Sequence, residues 1–318
     1  MTRILGGFAA LLGIMISLAG AAKAQTAAAE PAVSNAPQDD TKGPSTKEWV
    51  RVQQNDSGEP VAMQVAIVRY EGTPPGARRP VTVDLIGAVH VGDAAYYRRL
   101  DRRFRQYDAL LYELVAPQGT IIPRDQKAST RNPLGAIQGG MKSMLELEHQ
   151  LERVDYTQPN FVHADMSPDE LFAKMDERGE GLVQMYFRLL GQGIAMQSEQ
   201  TAKGESFDAD LIGALFARDR ARKLKIAMAK QMTQMDVFLS AFDGEDGSTL
   251  ITERNIVALK VLSREIEGGK RKLGVFYGAG HLNDMDERLR TDFGMEPTKQ
   301  WWLNAWDLRP KSQRRRGR

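Results

Sequence analysis

The sequence predicts an α/β fold, with a central mixed, partly parallel sheet, flanking helices and a largely helical insertion between two strand–GxxH–helix units. Three observations carry that expectation. Apolar runs of strand length, VDLIGAV and ALLYELV early in the chain and KLGVFY late in it, alternate with stretches whose apolar residues recur at helical spacing. Two of these runs end in matching turns, Gly87–Ala88–Val89–His90 and Gly278–Ala279–Gly280–His281. The segment between the units, about 134–242, reads as mainly helical.

The chain opens with Arg3, an apolar run over 4–20 and a small-x-small sequence at Ala22–Lys23–Ala24. This is the pattern of an export signal over 1–24, so the protein is expected outside the cytoplasm, periplasmic or secreted. A signal anchor or peripheral membrane association is the alternative. Residues 25–47 are rich in Ala, Pro, Ser, Thr and Asp without a period, as a flexible spacer would be. A single domain is expected over 48–308.

Within that domain, 61–72 and 80–90 form a hairpin across the turn-rich TPPGARR. Helical spacing of Ala94, Tyr97, Leu100, Phe104 and Tyr107 predicts a helix over 93–107, and 109–115 reads as a buried strand. Strand, helix and strand together have the size of a right-handed parallel crossover. Ser167–Pro168–Asp169–Glu170 marks a helix start, with N-cap serine, proline at N1 and glutamate at N3. Another helical region spans 207–242, where Met228, Met232 and Met235 suit packing or lid roles. A helix over 251–267 stops at Gly268–Gly269; a strand over 272–281, a helix over 282–295 and a last strand over 301–308 follow.

The chain has 43 basic and 41 acidic residues and no cysteine. The lack of cysteine excludes thiolate nucleophiles, zinc–cysteine sites and disulfides. Without 1–24, which carry Arg3 and Lys23, 41 basic residues face 41 acidic ones. Six of the basic residues lie in the last ten, so Gln25–Leu308 is net −6. An acidic body is not a nucleic-acid footprint. The basic tail, 309–318, reads as a disordered terminus. With Trp301, Trp302 and Trp306 it also permits weak contact with a membrane surface, although the tryptophans suit the core of a last strand.

The paired turns are the most informative feature. Each follows an apolar strand and precedes an amphipathic helix, with Asp93 and Asp284 three residues beyond the histidines. If the two strands are neighbours, His90 and His281 converge at the carboxyl edge of a parallel sheet, where such folds form clefts. Two imidazoles there suit a divalent metal or acid–base work; the other reading is that each satisfies a local helix start. Glu113, ionisable in an apolar strand, must meet a charge, a metal or solvent, as a site residue or a structural ion-pair partner. Glu253, Arg254 and Asn255 stand at a helix start and face the cleft or solvent. Secondary candidates are Asp93, which could instead cap its helix, Tyr277, which could be core, and His163. No HExxH, GxSxG or P-loop pattern occurs.

Taken together, Gly87–x–x–His90, Glu113, Glu253–Arg254–Asn255 and Gly278–x–x–His281 resemble the pattern of the TraB/PrgY/GumN/TIKI superfamily, in its bacterial TraB/GumN-like form, over about 60–308. The resemblance implies a metal-dependent hydrolase or protease. His90 and His281 would be metal ligands, Glu113 a ligand or general base, and Glu253 and Arg254 catalytic; Asn255 belongs to the same pattern. The ion would be Mn, Co or Zn. The expected substrate is a peptide or amide, or alternatively an ester or cyclic small molecule, and a non-catalytic peptide- or signal-binding protein would use the same cleft. No oligomeric state follows from the sequence.

Overall fold

The computed structural model of this chain describes residues 38–39, 46, 48–122, 145, 147–180, 214, 217–233 and 248–314. The expected signal and most of the spacer lie outside them, as do Met235, much of the 134–242 segment and residues 315–318. No helix among the described residues is long and apolar enough to cross a membrane.

The strands are β1 (Gln38–Asp39), β2 (Val50–Gln54), β3 (Pro60–Gly72), β4 (Val81–Ala88), β5 (Val91–Gly92), β6 (Ala109–Tyr112), β7 (Glu148–His149), β8 (Phe161–His163), β9 (Lys272–Gly278) and β10 (Glu296–Asp307). One sheet runs β1-β10-β3-β4-β9-β6-β8, with β2 on the first half of β3; β5 and β7 form a separate pair. The expected hairpin is β3–β4, antiparallel from Ile67↔Ile86 to Gly72↔Val81. β4, β9, β6 and β8 are mutually parallel, so the sheet is mixed.

The crossover from β4 to β6 passes through α1 (Ala94–Phe104), but the two strands are not adjacent: β9, from the far end of the sequence, lies between them. This insertion makes the two GxxH-bearing strands direct neighbours, with Ala88 opposite Gly278. The strands' apolar residues fall on two faces. Ile67, Ile86, Phe276 and Leu110 pack with Tyr97, Leu100 and Phe104 of α1 and with Leu224 of α4 (Arg220–Thr233). Val68, Leu85, Val275 and Leu111 pack with Ala258 and Leu262 of α5 (Arg254–Glu267) and Met285 of α6 (Leu282–Thr291). Covering a sheet on both faces explains why β6 and β9 are so largely apolar, while the buried Asp84 of β4 is paired with Arg69 and Arg103.

The segment between the motifs is less purely helical than its composition suggests. Glu148–His149 form β7 and Gln150–Arg153 a single helical turn, α2, and β8 adds an edge strand to the main sheet. Three-residue strands offer too little alternation to stand out from the helical patterns around them. The Ser167 start is realised as a full capping box at the head of α3 (Pro168–Glu177). α5 is entered through a π-helical turn over Thr249–Glu253 and ends at Gly268, with Gly269 at φ +92°. Trp302 and Trp306 are buried, and Trp301 lies under the guanidinium of Arg103. A short final helix, α7 (Lys311–Arg314), follows β10.

Candidate functional site

His90, Glu113, Asp165 and His281 all follow the carboxyl ends of the four parallel strands, and α5 brings its first turn to the same edge. Arg254 is the hub. Its Nε and Nη2 donate to the two oxygens of Asp165 at 2.9 and 2.7 Å, and Nη2 also donates to Glu113 Oε1 at 2.7 Å. Nη1 makes two longer contacts, 3.4 Å to the Leu250 carbonyl and 3.3 Å to His281 Nε2. All five guanidinium N–H groups are therefore engaged. A cation in the first turn opposes the helix dipole, and two carboxylates offset that cost.

Glu113 is held from both sides. Oε2 accepts from the Gly278 amide at 2.7 Å, while its own amide donates to Phe276 O at 3.2 Å, one step past the end of β6. A Cβ on Gly278 would stand 3.1 Å from Oε2, so this glycine provides room for a carboxylate. Gly87 serves differently: its Cβ would stand 3.1 Å from the Ala66 carbonyl of β3. Burial disfavours the Glu113 charge, but Arg254, His281, His90 and the Gly278 amide outweigh it and hold the carboxyl well below its usual range.

His281 is buried, and Asn255 sets its tautomer. The Asn255 amide nitrogen donates to His281 O at 3.0 Å and Asp284 Oδ2 at 2.8 Å. Its Oδ1, 2.7 Å from Nδ1, is therefore the acceptor, and His281 carries its proton on Nδ1. Nε2 is left with a lone pair facing Arg254, 3.5 Å from Glu113 Oε1. Burial lowers the His281 pKa to about 4, helped by Arg254 and resisted by Glu113, so the ring is neutral at ordinary pH.

His90 is partly exposed and within electrostatic reach of Glu113. Tyr96 OH donates to Gly87 O and Tyr97 OH to Val89 O, each at 3.0 Å, and the Gln150 amide donates to His90 O at 2.8 Å. Asp165, 1% exposed, was not among the sequence candidates. Its position just past the short strand tripeptide FVH is the available signal, hidden because that tripeptide reads as part of the insertion rather than as a sheet strand.

The other candidates make different contacts. Glu253 turns away from the cluster and pairs with Arg178 at 3.3 Å. Asp93 occupies the N-cap position of α1 without capping it; Lys225 and the Asp307 amide take its oxygens. Tyr277 lies edge-on to His281, with its hydroxyl donating to Ala164 O at 2.5 Å. His163 Nε2 lies 2.6 Å from Leu114 O, which fixes the chain just beyond Glu113.

The implied divalent ion can be tested against these contacts. Bonds of about 2.0–2.2 Å at a tetrahedral angle place two donors about 3.4 Å apart, close to the 3.5 Å between His281 Nε2 and Glu113 Oε1. The place beside those two atoms is taken by Arg254, whose fixed charge would face the ion, and both Asp165 oxygens are committed to the same guanidinium. Among the described residues no group of three His, Asp or Glu side chains is arranged to hold a metal. With Arg254 where it stands, the residues do not fit the ion. No protein-family model, curated protein or solved structure matches this chain.

Proposed function

We propose that this protein is a hydrolase of peptide or amide bonds acting outside the cytoplasm, with His90 as its acid–base group and Arg254 as its resident cation. The observation that carries the reading is the placement of His90 and the ionised Glu113 at one sheet edge, after the two strands, β4 and β6, that flank β9. The resemblance to the TraB/PrgY/GumN/TIKI pattern agrees on the class of reaction, and the N-terminal signal pattern on the location.

His90, open to solvent, takes a proton from a water lying against the substrate carbonyl. The Glu113 carboxylate stabilises the imidazolium that forms by its negative charge alone. As negative charge grows on the carbonyl oxygen, Arg254 Nη1 can turn to it, because its two present contacts are the longest at the guanidinium. Imidazolium then returns the proton to the leaving amine. His281, neutral and held by Asn255, presents Nε2 to Arg254 Nη1.

Peptide-library cleavage profiling of the purified protein, beside His90→Ala and Glu113→Gln, tests this. Cleavage lost in both variants is the expected result. Cleavage unchanged in His90→Ala overturns the assignment, and peptide retained without turnover by the parent replaces the hydrolase with a binding protein.

A further inference from the structure

The turn carrying His90 is held in part by the segment between the two motifs. β5, just beyond the histidine, pairs with β7, and the Gln150 amide binds His90 O. From the other side, the Asp93 amide donates to Ala305 O at 2.9 Å, and Trp306 Nε1 donates to Val91 O at 2.7 Å. Into this frame α4 sends Lys225, 1% exposed, whose ammonium lies 3.0 Å from Asp93 Oδ1. The helix is further tied by Arg222 Nε, donating to Leu308 O at 2.7 Å.

A lysine in this place is costly. Stripping an ammonium of water costs several kcal/mol, and an apolar side chain of similar length is often as stable or more so. Nor is Asp93 dependent on it for every bond, since the Asp307 amide reaches its other oxygen. What the ion pair adds is a directional tie, across 132 positions of sequence, between α4 and the turn three residues from the imidazole.

We propose that Lys225 is a positioning residue for His90, acting through Asp93, so that α4 sets where the imidazole stands at the sheet edge. The proposal rests on the reading of His90 as the acid–base group, but the placement itself can be measured without a substrate. The variants are Lys225→Met, Asp93→Asn and the double variant, which removes both charges while keeping similar shapes, should either single variant fail to fold. In each, the imidazole resonances of His90 and His281 are followed by NMR, and the carbethoxylation rate of each ring by peptide mass spectrometry.

The expected result is a shifted or split His90 resonance and at least a threefold change in its modification rate, with His281 unmoved. His90 signals and rates equal to the parent's in every folded variant overturn the proposal. If a cleaved peptide is in hand, kcat falls while KM holds. Should His90→Ala leave cleavage intact, the hydrolase reading fails while the spectra still decide whether Lys225 positions the ring.

Discussion

The two glycine–histidine turns share a sequence pattern and a place at the sheet edge, yet they are built to different ends. At the second turn Asn255 fixes the tautomer of His281, Arg254 faces its other nitrogen, and the glycine makes room for Glu113. At the first, Gly87 lies against the carbonyl of the neighbouring strand, and donors hold the backbone on either side of His90 while the ring stays partly exposed. The contrast teaches that one histidine is a fixed part of the wall while the other keeps its ring partly open to solvent. A site of two equivalent ligands, which the paired motifs suggest, would have two similar surroundings.

The largest expected effect lies at the hub of the second turn. Arg254→Met leaves Glu113 and Asp165 buried without their cation and should cost about 3–5 kcal/mol of stability, read from urea unfolding. An unchanged midpoint would mean the cluster is wetter and looser than its burial indicates.

Next in size is Asn255→Ala, which removes two hydrogen bonds from His281 and one from Asp284, at about 1–3 kcal/mol. It should also free His281 to change tautomer. The corresponding change at the first turn, His90→Ala, should move stability by less than about 0.5 kcal/mol, as at an ordinary surface position. Equal losses at the two turns would erase the distinction between them.

Acid sharpens the comparison further. An unfolded histidine takes up a proton near 6.5 and His281 in place near 4, so in that interval the unfolded chain binds more protons. Stability should therefore fall as pH drops from about 6.5 towards 4, and His281→Gln should remove that part of the slope. The smallest effect is expected from chelation: EDTA should leave the thermal midpoint unchanged. A drop restored by Zn²⁺, Mn²⁺ or Co²⁺ would show that an ion reaches the site despite Arg254.

Much of the frame could be read from sequence, because long apolar strands and amphipathic helices announce themselves locally. The hairpin, the capping box at Ser167 and the stop at Gly268–Gly269 all follow from residues near each other in the chain. The pairing of the GxxH turns was legible as a pattern, but the adjacency that gives it meaning comes from β9 inserting between β4 and β6, a long-range choice. Asp165 escaped because β8 is only three residues long and lies in a helical-looking stretch. Glu253 and Arg254, neighbours in sequence, point to different partners because successive residues at a helix start are turned about 100° from one another. The roles of Asp93 and Asp284 likewise diverged: equal spacing from a histidine does not specify which distant element will pack against the turn.

The most direct measurement is the protonation of the two imidazoles by long-range proton–nitrogen correlation in the folded protein. His281 should stay neutral, with its proton on Nδ1, from pH 8 down to about 4. A His281 ring that carries its proton on Nε2, or that takes up a second proton near 6.5, would contradict a wall built around Arg254 and Asn255.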